Sequence, residues 1–285
     1  MKHPSDLFLT ALAPAIWGST YLVTTELLPP GRPLLAGALR ALPIGLALVV
    51  TFRRLPRGVW WWRVALLGTL NIGLFFALLF VAAYRLPGGV AATLGAVQPL
   101  LVMFMAGVVL AQKPSLVTLV AGGVGVVGVA LLVLGGGVGL ETWGVAAALA
   151  GACSMAAGTV LTRLWVSPVP IPLLTGWQLV TGGLLLSVLS FVFEGRIPAL
   201  SPSNILGYSY LGLLGGGVAY TLWFRGISKL GTSVAFLGLL SPVVATVLGY
   251  AVLGQQLGWR QGLGAALVLG SVLAGQRELL SKGSS

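Results

Sequence analysis

The sequence predicts an all-α integral membrane protein: ten transmembrane helices, set as two inverted five-helix repeats around a central cavity. Three observations predict it. Charged residues make up 7% of the chain and hydrophobic ones 57%, at a mean hydropathy of +1.02, whereas about a quarter of an ordinary soluble domain is charged. Breaks built from proline, glycine or charge recur at intervals of one membrane span. A stretch of the first half also returns in the second, half a chain later.

A span needs about 20 mainly apolar residues. The segments read as spans are 7–27, 33–52, 64–84, 88–110, 115–134, 140–163, 171–193, 203–227, 231–253 and 259–277. The first, with Lys2 before an apolar run and Ala11 and Ala13 within it, has signal-peptide features. It continues without a polar break to Leu27 and reads as an uncleaved span. The breaks include Pro29-Pro30-Gly31, Arg53-Arg54-Leu55-Pro56-Arg57, Gln112-Lys113-Pro114, Gly135-Gly136-Gly137 and Lys229-Leu230-Gly231. Loops this short make consecutive helices antiparallel neighbours. The 42 glycines suit closely packed membrane helices.

Charge gives the orientation. With the N-terminus inside, Lys2, Arg53, Arg54, Arg57, Arg63, Lys113, Arg163, Arg225, Lys229, Arg277 and Lys282 are cytoplasmic. Arg32, Arg85, Arg196 and Arg260 then lie outside, and Arg40 lies within the second span. Both termini of this multi-pass protein are therefore expected in the cytoplasm. The net charge of +11 is scattered over span ends, which argues against nucleic acid. One cysteine, Cys153, excludes an intrachain disulfide and a cysteine-based metal site.

The internal repeat pairs the segment from Leu86 to Pro99, containing Gly95-Ala96-Val97-Gln98-Pro99, with the segment from Leu230 to Pro242, containing Gly238-Leu239-Leu240-Ser241-Pro242. Five spans separate the copies, an odd number, so the second half enters the membrane inverted. The expected repeats are 1–137 and 138–285. Inverted repeats serve transporters, because exchanging the conformations of the two halves turns an inward-open state into an outward-open one.

Each copy carries a glycine four residues before a proline: Gly95 with Pro99, and Gly238 with Pro242. Proline removes a helix hydrogen bond and clashes with the carbonyl four residues back, so the pairs read either as hinges beside a central site or as static kinks. In the first span Pro14, Trp17, Gly18, Tyr21 and Thr24 form a stripe. Trp17 lies near mid-membrane, where a tryptophan is either packed or lines a cavity. Asn71 and Phe75 share a face of the third span, and Asn71 serves either interhelical hydrogen bonding or substrate contact. Gln98, Trp177, Gln178 and Tyr220 complete the candidate substrate-binding set, which describes a cavity that stacks a flat ring and hydrogen-bonds a polar group. Arg40 is either functional or a residue that snorkels or pairs with a carbonyl. Trp60, Trp61 and Trp62 read as an interfacial belt. Gly262, Ala266, Gly270 and Ala274 read as a packing face within or between protomers.

Asp6, Glu26, Glu141, Glu194 and Glu278 lie at span ends or outside, and the single histidine is His3. No proton carrier sits at mid-membrane, and no phosphate-binding glycine loop is present. Facilitative transport with no cofactor, no metal and no catalytic residue is the expectation. A polytopic membrane enzyme, the alternative of a different class, would need clustered carboxylates, histidines or cysteines inside the spans.

With two five-span halves, Trp17-Gly18-Ser19 in the first span and the Gly-x-x-x-Pro segments, the chain resembles the EamA-type branch of the drug/metabolite transporter superfamily over nearly its whole length. Within that branch it looks most like the YddG-type aromatic amino-acid exporters of bacterial inner membranes. The resemblance implies a basket around a cavity lined by the first, third, fourth, sixth, eighth and ninth spans. It implies alternating access, with bending at Pro99 and Pro242, and export of aromatic amino acids or other neutral or zwitterionic metabolites. Amphipathic drugs are the alternative cargo. The first span lacks the glutamate of the small multidrug exporters, which argues against proton-coupled export of cations. The implied partners are a small-molecule substrate and the lipid bilayer, and the chain reads as a monomer.

Overall fold

The computed structural model describes residues 4–109, 116–134, 141–230, 237–256 and 258–282. Gln112-Lys113-Pro114, Gly135-Gly136-Gly137 and residues 231–236 of the second repeat copy lie outside the described residues. The described regular structure is helical: α1 (Pro4–Gly18), α2 (Thr20–Leu27), α3 (Pro33–Phe52), α4 (Trp60–Gly68), α5 (Phe75–Arg85), α6 (Gly88–Gly95) and α7 (Gln98–Val109) in the first half. α8 (Leu116–Leu134) closes the first half, and the second half contains α9 (Thr142–Leu164), α10 (Ile171–Phe193), α11 (Pro202–Ser209), α12 (Ala219–Leu230), α13 (Leu240–Leu253) and α14 (Trp259–Lys282). Two π-helical segments, Thr69–Leu74 and Tyr210–Val218, join α4 to α5 and α11 to α12.

The described residues of the predicted spans are largely helical. Among the described residues seven helices are long and apolar enough to cross a membrane: Ser5–Leu27, Pro33–Phe52, Trp60–Arg85, Gly88–Val109, Thr142–Thr162, Ile171–Phe193 and Pro202–Trp223. Leu119–Leu131 and Leu237–Leu253 are shorter apolar helices. Large apolar side chains such as Phe104, Val108, Phe191 and Phe193 are more than 60% exposed, as lipid-facing positions should be.

The main pairings are α3 with α10, α8 with α14, α5 with α9, α1 with α12 and α13, α6 with α13, and α7 with α9. Small residues set these distances. A side-chain carbon at Gly45 of α3 would meet the Val180 backbone of α10 at 2.7 Å, so only glycine permits this approach. Glu194, just past α10, fixes the same pair. Its two carboxylate oxygens accept from the backbone amides of Leu34 and Leu35, at 2.6 and 3.0 Å, and so cap the otherwise unpaired N-terminus of α3. Asn204 closes a capping box with Ser201 and also donates to the Leu27 carbonyl at 2.9 Å, tying α11 to the end of α2.

Two surface expectations are corrected. Trp61 and Trp62 are exposed, but Trp60 is buried with Val64, Leu173 and Trp177. Three consecutive helical residues fan over most of a turn, so they cannot all face the interface. On α14 the face packed against α8 carries Gly264, Val268 and Ser271, whereas Gly262, Ala266, Gly270 and Ala274 are exposed, which corrects the within-protomer alternative for that stripe.

Candidate functional site

The motif Trp17-Gly18-Ser19 lies where α1 gives way to α2, and each residue engages the second half of the chain. The Trp17 indole Nε1 donates to the Gly215 carbonyl at 2.9 Å. Gly18 is pressed against α13, where a side-chain carbon would lie 2.5 Å from the Ser241 carbonyl oxygen. Ser19 shares a 2.6 Å hydrogen bond with the Tyr210 hydroxyl. Gly215 and Tyr210 both belong to the π segment Tyr210–Val218. A π turn shifts backbone groups out of the α-helical ladder, which leaves carbonyls for other donors.

Around this junction the aromatics gather. The Trp17 ring lies 5.2 Å from Tyr220 and 5.4 Å from Trp223, both tilted by about 60°, the edge-inclined geometry that aromatic pairs prefer. The far edge of Trp223 lies 3.8 Å from where a side chain on Gly238 would begin. Tyr21 is buried one turn along from Trp17, against Gly88 of α6. Trp17, Tyr21, Tyr220 and Gly238, predicted separately, therefore share one region where α1, α2, α12 and α13 converge.

Arg40 borders this region. It is 4% exposed and is the eighth residue of the twenty-residue helix α3, about 10 Å along the axis from the helix's N-terminal end at 1.5 Å per residue. Its guanidinium carbon lies 4.9 Å from the Phe76 ring centroid, and its Nη1 makes a long 3.4 Å bond to the Thr20 hydroxyl. Its Nη2 is 3.8 Å from where a side chain on Gly215 would begin. Tyr21 and Tyr220 are near enough to interact with it electrostatically.

Asn71 and Gln178 form a second, separate polar pair. Asn71 is in the π segment Thr69–Leu74 and its Nδ2 donates to Gln178 Oε1 at 2.7 Å. Both side chains are 7% exposed, and Asn71 Oδ1 lies against Gly158 with no hydrogen-bond donor. The remaining predicted residues are dispersed. Trp177 donates to the Arg54 carbonyl at 2.8 Å and is buried at the end of α10 where Trp60 packs. Phe75 packs on Phe76 and Gly151. Gln98 is half-buried at the start of α7.

The paired glycine–proline features sit at true helix breaks. α6 ends at Gly95, a turn covers Ala96 and Val97, and α7 restarts at Gln98 with Pro99 as its second residue. Residues 237–239 form a 3₁₀ turn, and α13 starts at Leu240 with Pro242 as its third residue. Both prolines thus occupy a first helical turn, where the missing N–H has no intrahelical partner to lose, instead of kinking a continuous helix. A side chain at Gly95 would meet nothing within 4 Å.

Besides Trp223, the junction side chains absent from the predicted site are those of Arg40, Thr20, Ser19 and Tyr210. A lone charge inside a span was the available signal for Arg40. The other three are ordinary helix residues until the fold brings their hydroxyls together.

The EamA-like transporter family matches twice, over residues 5–134 and 142–274. The chain is 41% identical to protein PecM of Dickeya dadantii over 267 residues, covering 92% of this chain and 89% of that one. It is 32% identical to a WAT1-related chloroplastic protein of Arabidopsis thaliana, covering 89% of this chain and 65% of the other. It is 28% identical to the uncharacterized inner membrane transporter YedA of Escherichia coli K12, covering 90% and 86%. A solved crystal structure with 19% identity superposes with a TM-score of 0.65 over 99% of both chains, a likeness of fold. The chain is a multi-pass membrane protein belonging to the EamA-like transporter family of the drug/metabolite transporter superfamily.

Proposed function

We propose that the protein is a facilitative exporter of small neutral or zwitterionic metabolites, aromatic amino acids foremost, working by alternating access across a bacterial inner membrane. The observation that carries this reading is the aromatic wall of Trp17, Tyr220 and Trp223 at the junction of the chain's two halves. Flat rings stack on such walls, and a wall shared between halves changes shape when the halves move.

The two-repeat reading, 1–137 and 138–285, has three supports. The family match occurs once in each half. The π segments begin 141 residues apart, close to the offset of the Gly-x-x-x-Pro copies. The main helix pairings are preserved when each helix is exchanged for its counterpart five spans on. α3 with α10 and α8 with α14 map onto themselves, while α5 with α9 maps onto α12 with α1. In this reading the breaks after Gly95 and before Leu240 are the hinges, both termini are cytoplasmic, and one chain suffices.

Radiolabelled uptake into proteoliposomes tests the proposal, with competition by a panel of amino acids, nucleosides and amphipathic dyes. Saturable uptake with counterflow, competed best by aromatic amino acids, is expected. Competition by dyes alone would move the cargo to amphipathic drugs. Flux that neither saturates nor exchanges would indicate a channel. Uphill flux that followed proton movement would rule out the facilitative mechanism.

A further inference from the structure

We propose that Arg40 is the anchor for an anionic group of the cargo, specifically a carboxylate, beside the aromatic cluster of Trp17 and Tyr220. The inference rests on the transport reading and names the charged half of the ligand that the aromatic wall holds.

A guanidinium offers five N–H donors in a planar fork that matches a carboxylate. At Arg40 these donors are barely used. Nη1 makes the long bond to Thr20, while the buried Nε has no acceptor. No carboxylate compensates the charge among the described residues. Asp6 pairs with Arg225 at 2.6 Å, Glu141 with Arg85, Glu194 caps α3, and Glu26 is exposed. The Phe76 ring face offers the guanidinium only a cation–π contact. A buried cation with no anion is costly, and inside a membrane span such a charge marks a ligand or ion pathway.

The surroundings favour a carboxylate on an aromatic body. The Arg40 guanidinium lies 3.8–3.9 Å from where a side chain on Gly215 would begin, and the Gly215 carbonyl holds the Trp17 indole. A ring stacked on Trp17 or Tyr220 therefore sits one side-chain length from the guanidinium. Glycine at 215 leaves the approach between Arg40 and the wall clear of a side chain. A single cation also matches the single negative charge of a carboxylate better than a phosphate dianion.

The experiment compares acids with their neutral amides: phenylacetate against phenylacetamide, and N-acetylphenylalanine against N-acetylphenylalaninamide. Binding to detergent-solubilised wild-type protein is read as thermal stabilisation, and flux is read separately in proteoliposomes. Wild type should bind each acid about tenfold or more tightly than its amide, the scale of one charge-assisted contact. Arg40→Gln should bring the ratio to about one, and Arg40→Lys, which keeps the charge but not the fork, should retain part of it. Equal binding of acid and amide by wild type, no binding of either, or a preference that survives in Arg40→Gln each overturns the assignment. If Arg40→Gln does not fold, the wild-type ratio decides alone. Acid-selective binding without flux would sink the transport reading while leaving Arg40 as a carboxylate site. Flux of acid and amide alike would do the reverse.

Discussion

The Trp17 indole donates to the Gly215 carbonyl at 2.9 Å, joining the first span to a π segment nearly two hundred residues away. The bond orients the ring against Tyr220 and Trp223. It also uses a carbonyl that a regular α-helix would have engaged. Trp17→Ala should therefore lower proteoliposome flux about tenfold or more while the detergent-solubilised protein stays monodisperse, since one aromatic contact plus one hydrogen bond is worth roughly 1–3 kcal/mol. Trp17→Phe, which keeps a ring but loses the donor, should fall between. Wild-type flux in both variants would remove Trp17 from the site.

Pro99 and Pro242 each lie in the first turn of a helix that follows a break. Alanine at either position lets an α-helix run through the break more easily. Pro99→Ala and Pro242→Ala should each slow exchange several-fold more than they weaken binding. Counterflow rate and thermal-shift affinity, measured on the same preparation, separate the two effects, and unchanged exchange would reduce the prolines to fixed structural stops.

Asn71 Nδ2 donates to Gln178 Oε1 at a site where both residues are buried. Truncating one leaves a buried amide without its partner, at a cost of about 1–3 kcal/mol. Asn71→Ala and Gln178→Ala should each lower the midpoint of thermal unfolding. The double variant should cost less than the sum, because both singles break the same bond. Strict additivity would show that the pair does not act as a unit.

Glu194 caps α3 with both carboxylate oxygens. Glu194→Gln keeps the shape but removes the charge at a helix N-terminus, so stability should drop by about 1 kcal/mol. Transport by the protein that remains folded should not change. A transport defect larger than the loss of folded protein would give Glu194 a role beyond capping.

Both chain ends on the cytoplasmic face are expected from the charge bias. In a Cys153→Ser background, single cysteines added near each end should react with a membrane-impermeant thiol reagent only in inside-out vesicles. Labelling of the two ends from opposite faces would contradict an even number of spans and the inverted-repeat reading.

The spans were legible because they follow from local composition: a run such as Leu34 to Phe52 has no alternative to helix in lipid. The breaks at Gly95 and Gly238 were legible for the same reason, since the Gly-x-x-x-Pro spacing is a local signal. That the small-residue stripe of α14 does not pack within the protomer was not legible. Gly262 and Gly264 look alike in sequence, and only the position of α8 determines which of them is buried. Trp177 looked like a cavity residue because it neighbours Gln178. On a helix adjacent residues point about 100° apart, and here one turns to the Arg54 carbonyl while the other meets Asn71.

By itself the sequence determined the membrane class, the helical elements, the uncharged character of most of the interior and the one basic residue within it. These depend on the solvation of side chains and on backbone sterics, which act locally. Only the tertiary structure decided that Trp17, Tyr220 and Trp223 meet, that Arg40 stands beside Gly215 with no carboxylate paired to it among the described residues, and that Asn71 and Gln178 bond away from that junction. Those relationships depend on the rotation and depth at which one helix packs on another. Glycine contacts tens of residues apart in sequence set both, and no local pattern encodes them.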